Sequence, residues 1–305
     1  MPELRPGVVA AIGGGASLGP WAAGFFDPLN EGGVEIAGFA GASTGMLFAS
    51  WWAKHWGEKN AGTELLRVCT RFGKGKPPLS LIRMPWRLQT TLRREFREER
   101  LEDYRQQPAI EVVASCYNLV IGKTEFLSEG RVIDIVMASA AYPGVFPARE
   151  INGKRYGDGA VMDYLALGAA RRISFPYSHL IVIDLTNRRR QTRAGRAWDA
   201  VDMFTAPMYE LASLQLNAYR ADHPDVTILH VRPQLPAIRV GDFRFTSELF
   251  QSGRRFGAHV METYFDLDRR LFAAGTIEIC EHESGVPKQP SMEDTGTFVC
   301  QTSEV

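Results

Sequence analysis

A chain of 305 residues, 45% hydrophobic and 23% charged, is long enough for one large α/β domain, or at most two small ones, and has the make-up of an ordinary soluble globular protein. Its 35 Lys and Arg balance 35 Asp and Glu, so no global field argues for nucleic acid or an acidic partner. Four scattered cysteines, Cys69, Cys116, Cys280 and Cys300, form no CxxC pair, which speaks against a zinc site or a dense disulfide framework.

The opening "MPELRPGVVAAIGGG" lacks a charged region followed by a long apolar core, and no segment reaches the roughly 20 uninterrupted apolar residues of a membrane span. The expectation is a soluble, cytoplasmic chain, with peripheral membrane contact and leaderless export as an effector left open. The first apolar run, "GVVAAIGG" (7–14), reads as a strand that enters the glycine-rich turn of "AIGGGASLGPWAAG" (11–24), with a helix over "PWAAGFFDPL" (20–29). A dinucleotide fingerprint would need glycine where Leu18 stands, although Gly13 and Gly15 fit and Glu35 lies at the distance of a ribose contact. Consecutive glycines do something else well: the turn Gly13-Gly14-Gly15-Ala16 exposes successive N–H groups in a concavity that can bind an anion.

A second strand, "VEIAGFAG" (34–41), runs into "GFAGASTGMLF" (38–48), and helical spacing follows in "GMLFASWWAKHW" (45–56). Ser43 therefore stands at a strand-to-helix junction between Gly41 and Gly45, with Thr44 opening the helix. Glycines on both sides suit a sharp turn that projects the serine, and the helix N-terminus favours negative charge developing nearby. The plainer reading is a glycine turn with a capping serine.

The Arg-rich segment 71–105 interleaves Leu, Ile, Met and Trp. It reads as a cap or membrane-contact segment, or as a solvated helix in which Arg93 faces Arg97 while Glu95 and Glu99, and Glu98 and Glu102, recur at helical spacing. A strand over "EVVASCYNL" (111–119) precedes "GKRYGDGAVMDY" (153–164), where Asp158 lies between Gly157 and Gly159. That arrangement places a carboxylate at a turn tip with close backbone approach, or is simply an Asp-Gly turn.

Helical spacing returns in 165–173 and 198–220, and strands are read at "LIVIDLT" (180–186) and "VTILHVR" (226–232). The Met and aromatic residues of 198–220 line an apolar channel or pack in the core. A basic loop at 187–196 offers a contact for phosphate or another anion, or is solvated. The polar stretch 284–305 is expected to be a mobile tail after a domain spanning 1–283. Several strands lack polar alternation and so look buried on both faces, which predicts a three-layer α/β/α fold with a mostly parallel central sheet. None of the six histidines, His55, His179, His223, His230, His259 and His282, sits in a stretch like a catalytic loop; His179 is placed just before a strand.

Taken together and in order, "GGGASLG", "GASTG" and "DGA" resemble the motifs of the patatin-like phospholipases. The resemblance continues through 138–160 and 242–257, and covers residues 7 to 280. It implies a lipid acyl hydrolase with a serine-aspartate dyad and no histidine, metal or cofactor: Ser43 as nucleophile, Asp158 as base, and oxyanion N–H donors from the Gly13–Ala16 turn, Gly14 and Gly15 above all. The substrate implied is a lipid or phospholipid ester. The glycine loop is one residue longer than the family's usual Gly-Gly-Gly-x-x-Gly and carries Ser17-Leu18 where a basic residue often sits. A Ser-Asp-His esterase and an inactive lipid-binding protein of the same fold are the alternatives. Head-group preference and oligomeric state are not legible.

Overall fold

The computed structural model describes residues 7–72, 79–106, 109–186, 196–235, 238, 242–266, 271–272, 277–280, 291–292 and 298–299. A nine-stranded mixed sheet runs through it. Its parallel part is built from β1 (Gly7–Ile12), β2 (Ile36–Ala42), β3 (Glu111–Asn118), β7 (Tyr177–Ile183), β8 (Thr227–Arg232) and β11 (Ile277–Cys280), in the order β11-β8-β7-β1-β2-β3. Three short antiparallel strands complete it: β4 (Lys123–Leu127) and β6 (Lys154–Asp158) pair with β3, and β5 (Arg149–Ile151) pairs with β6. Two-residue strands β9 (Phe265–Asp266) and β10 (Leu271–Phe272) form a separate ladder, as do β12 (Ser291–Met292) and β13 (Phe298–Val299). Otherwise the expected tail lies outside the described residues, as does nearly all of the basic loop 187–196.

Side-chain alternation on apolar strands buries both faces of this sheet. On β1, Val8, Ala10 and Ile12 join one core while Val9 and Ala11 join the other. The first core is covered by α1 (Gly19–Glu31), α2 (Thr44–His55), α5 (Val132–Ser139) and α8 (Thr246–Tyr264), with α3 (Ala61–Phe72) and α4 (Leu79–Glu95) adding Leu65, Val68, Leu88 and Leu92. Against the second lie the short α6 (Leu167–Ala170) and α7 (Arg196–Asp222), whose Met208, Ala212, Leu216 and Tyr219 follow helical spacing. The result is the three-layer α/β/α arrangement that the sequence predicts. No described helix is long and apolar enough to cross a membrane.

Two expectations are corrected. His179 lies inside β7, not before it, and its Nε2 meets the Phe272 carbonyl at 3.0 Å. The helical run of charges past residue 95 does not form: α4 stops at Glu95 and Arg97 takes a φ of 45°, so Arg93 and Arg97 do not share a helix face. The carboxylates beyond reach other elements instead, Glu99 to Lys54 and Tyr104, and Glu98 to Arg131.

Helices α1 and α8 touch backbone to backbone. A Cβ on Gly253 would lie 1.9 Å from the Trp21 carbonyl oxygen, and one on Gly24 would lie 2.0 Å from that of Phe250. Their aromatic side chains then interlock, with Trp21 and Phe256 ring centroids 5.4 Å apart. Because a carbonyl in a helix cannot step aside, Gly253→Val is expected to cost about 3 kcal/mol and to lower Tm by about 6 °C or more, measured by thermal unfolding under circular dichroism.

Candidate active site

Strand pairing alone decides where Ser43 and Asp158 go. On β3, Ser115 pairs with Ala42 of β2 and with Phe126 of β4, while the next residue, Cys116, pairs with Asp158 of β6 and with Glu125 of β4. Since β4 occupies one edge of β3 at both positions, β2 and β6 share the other edge. One runs parallel to β3 and the other antiparallel, so their C-terminal ends point at each other. Ser43 follows the last residue of β2, and Asp158 is the last residue of β6. Ser43 Oγ donates to Asp158 Oδ2 at 2.7 Å.

The turn that carries Ser43 is strained. Its φ of 55° and ψ of −128° lie outside the regions that L-residues favour, an arrangement that costs on the order of 1–3 kcal/mol. Neighbouring glycines are required by space: a Cβ on Gly41 would sit 2.5 Å from Met46 Cα, and one on Gly45 2.0 Å from the Ile12 carbonyl oxygen. Ser43 is the N-cap residue of α2 but makes no side-chain capping bond; its hydroxyl is given to the carboxylate instead. Its own N–H donates to Ser139 Oγ at 3.0 Å, and that hydroxyl donates to the Ser115 carbonyl at 2.8 Å. Ser115 Oγ in turn donates to the buried Asp163 at 2.5 Å. Ser139, Ser115 and Asp163 are all missing from the sequence reading. Ser139 lies within the stretch 138–160 that carries the family resemblance, which was the available signal.

Asp158 is buried, and burial pushes its carboxyl up to about 7, against the opposing hydrogen bonds from Ser43 and the Ala160 N–H. The Ala160 N–H reaches Oδ1 at 2.8 Å, so each carboxylate oxygen has one donor. Of the flanking glycines, Gly159 is the constrained one, since a Cβ there would lie 2.0 Å from the Ser115 carbonyl oxygen, whereas Gly157 has only ordinary contact with Leu119. Asp158 thus ends a strand and does not sit at an exposed turn tip.

The glycine turn lies beside the serine because β1 and β2 are paired neighbours, Ile12 opposite Gly41. A Cβ on Gly14 would lie 3.6 Å from Ser43 Cβ. One expectation about this turn is corrected: the Gly14 N–H donates to the Tyr164 carbonyl at 2.8 Å and is therefore not an open donor. Gly13, tucked against the carbonyls of Tyr164 and Ile183, does not border the cavity at Ser43, whereas Gly14, Gly15, Ala16 and Thr44 do. Ala16 has a φ of 45°, a second strained residue beside the same space.

That space is a cavity of about 90 Å³, room for roughly six water-sized groups. Its walls are mainly apolar and come from every side: Leu47 on α2, Met84 and Leu88 on α4, Val136 on α5, and Met208 and Tyr209 on α7. Residues of 71–105 and of 198–220 therefore both border it. No described histidine does: His55 pairs with Glu58, His223 with the Tyr219 carbonyl and His230 with Asp184, and His282 lies outside the described residues. Among the described residues, no cluster of His, Cys, Asp and Glu is suited to a metal ion.

Comparison with known proteins bears on what such a site belongs to. The family model for the patatin-like phospholipases matches residues 10–171, a span that contains the glycine turn, Ser43 and Asp158. Uncharacterized NTE family proteins of Mycobacterium bovis and Mycobacterium tuberculosis are each 26% identical over 213 residues, 66% of this chain and 54% of theirs. The chain spans about half the length of these curated relatives. The crystal structure of VipD from Legionella pneumophila is similar at a TM-score of 0.37 and 12% identity, over 96% of this chain and 63% of that one.

An expected outcome follows from the buried carboxyl. Its pKa lies higher in the folded chain, about 7, than the unfolded value of 3.8, so its contribution favours folding at acid pH and is lost as pH rises through that window. Asp158→Asn removes the dependence and keeps both hydrogen bonds available. The unfolding free energy of the variant relative to the native chain should grow by roughly 3–4 kcal/mol between pH 4 and pH 8, as read from urea denaturation at each pH.

Proposed function

Because the chain belongs to the patatin-like phospholipase family, we propose that it is a lipid acyl hydrolase in which Ser43 and Asp158 form the catalytic pair. The observation that carries this reading is the 2.7 Å bond from Ser43 Oγ to a buried, histidine-free carboxylate. A serine hydroxyl is a weak nucleophile until a base takes its proton, and an aspartate is a weak base at neutral pH unless burial raises it. Burial supplies that rise here.

In the proposed reaction an ester carbonyl enters the cavity beside Ser43. Asp158 accepts the hydroxyl proton as Ser43 Oγ attacks the carbonyl carbon, and a tetrahedral oxyanion forms. With the Gly14 N–H bonded to Tyr164, the donors for that oxyanion are assigned to the Gly15 and Ala16 N–H groups. The positive end of α2, opened by Thr44, adds to the field at the same place. Asp158 returns the proton to the leaving alcohol, and an acyl ester remains on Ser43. Water, deprotonated by the same carboxylate, then attacks the acyl carbon; the bond to Ser43 Oγ breaks, Asp158 returns the proton to that oxygen, and the fatty acid leaves. A mainly apolar cavity suits an acyl chain and keeps competing water out, which strengthens each of these electrostatic interactions.

The substrate class is a fatty-acyl ester of phospholipase A or lysophospholipase type, met at a membrane surface. Reaction with a fluorophosphonate followed by peptide mapping is expected to place the adduct on Ser43. Ser43→Ala should abolish both labelling and ester hydrolysis, and Asp158→Asn should lower kcat/KM by about 10²–10⁴. Labelling undiminished in Asp158→Asn would point to another base.

A pH profile gives an independent check. The base acts when deprotonated, so kcat/KM should rise with pH through a midpoint near 7, where burial places the Asp158 carboxyl, and level off above it. A profile that is flat from pH 5 to pH 8 would contradict the assignment.

A further inference from the structure

A second cavity, of about 30 Å³, lies beside the first. It is enclosed by Phe48 and Trp51 of α2, Leu65, Val68 and Cys69 of α3, and Leu92 of α4, all buried. Ala16, Thr44, Leu47, Leu88 and Phe243 border both cavities, so the partition between them consists largely of two leucines and a phenylalanine. Such side chains change rotamer without breaking a hydrogen bond. Apart from the Cys69 thiol, the ionisable side chain lining the second cavity is Glu95, which with Thr91, one helical turn before it, marks the half-exposed rim. Burial pushes the Cys69 thiol up to about 12, so it is an inert apolar wall and not a reactive group.

We propose that the second cavity is the distal subsite for the acyl chain, and that Val68 and Cys69 on α3 set how long a chain the protein accepts. This rests on Ser43 being the acylated residue. Distance supports the assignment. From Thr44, next to the nucleophile, to Trp51 in the second cavity the wall follows α2 for seven residues, about 10 Å of helix. An extended chain advances about 1.2 Å per bond, so a chain of roughly eight carbons reaches the partition's far side. Shorter acyl groups end in the first cavity. Longer ones pass between Leu47 and Leu88 and bury their terminal methylenes against α3, where each buried methylene adds about fourfold to binding. The ligand chemistry is thus a medium- or long-chain fatty acyl group.

Val68→Phe and Cys69→Met each fill the second cavity from the α3 side. With p-nitrophenyl esters of four to fourteen carbons, the native chain is expected to show kcat/KM rising beyond about eight carbons. In either filled variant the ratio of kcat/KM for the twelve-carbon ester to that for the four-carbon ester should fall at least tenfold, the worth of about two buried methylenes. Val68→Ala should move the optimum to longer chains. Circular dichroism melts identify a variant that does not fold, and the other then supplies the ratio. Titration of dodecanoic acid into the Ser43→Ala chain reads the same subsite without catalysis: tight binding, weakened about tenfold or more by either filling substitution, supports the subsite even if no ester is hydrolysed. An unchanged chain-length ratio in the filled variants, or dodecanoate binding indifferent to them, overturns the proposal while leaving the reading of Ser43 and Asp158 intact.

Discussion

Ser115 of β3 is the point on which the rest of the arrangement depends. Its backbone pairs with the last residue of β2 on one edge, and its carbonyl both accepts the Ser139 hydroxyl and sits against Gly159, where no Cβ fits. Its hydroxyl is held by Asp163, which also takes the N–H groups of Gly168 and Ala169 at the start of α6. One residue further on, Cys116 takes Asp158 into the sheet. The meeting of β2 and β6 is therefore fixed by register. A slip of a single residue in either strand would turn every side chain to the opposite face and separate the hydroxyl from the carboxylate, however well the turns themselves formed.

Two costs are held in place by this junction. Ser43 keeps a backbone conformation that an isolated chain would abandon, and Asp158 keeps a carboxyl group where burial disfavours its charge. Neither cost is offset locally in full. The elbow is held because its N–H has a buried acceptor in Ser139, and because Gly41 and Gly45 let α2 and β1 close on it from both sides. Among the described residues the carboxylate is held by two donors, Ser43 Oγ and the Ala160 N–H. Compare Asp184, also buried, where burial again pushes upward but the hydrogen bonds and charge of His230 together with the Thr186 donors outweigh it, and the group titrates below the usual range. The number and charge of the partners, not burial alone, separate an aspartate suited to accept a proton near neutrality from one that stays ionised.

The parallel strands and the two glycine turns are legible in the sequence because each is local: an unbroken apolar run followed by glycine and then by helical spacing. Strands β1, β2, β3 and β8 start and stop within two residues of their reading. What was not legible is pairwise. The segment "KRYGD" has no strand character of its own and becomes β6 only because β3 offers it an edge. Helices α3 and α5 were not separated from their surroundings, and the glycines of α8 acquire meaning only opposite α1. Likewise, three exposed N–H groups were a fair expectation for a triple-glycine turn taken alone. The structure removes Gly14 from that set with a carbonyl from Tyr164, a residue about 150 positions away in the chain.

That bond also bears on how the longer glycine loop behaves under the proposed reaction. Between the end of β1 at Ile12 and the start of α1 at Gly19 the chain must turn through Gly13–Leu18. It does so with a left-handed Ala16 and a short 3-10 turn over Ala16–Leu18, whose last residue bonds back from Leu18 N–H to the Gly15 carbonyl at 2.9 Å. Tyr164 anchors the first half of this loop through Gly14, and the same tyrosine stacks edge-on against Tyr209 of α7, with ring centroids 5.2 Å apart. Gly15 and Ala16, to which the proposal assigns the oxyanion donors, follow directly on the anchored Gly14, with Ala16 at a φ of 45°, and border the same cavity as Met208 and Tyr209 of α7. Tyr164 thus joins two layers of the fold: its carbonyl holds Gly14 and its ring packs on Tyr209, so the course of the glycine loop and the packing of α7 share one residue, beside a cavity that Met208 and Tyr209 also line.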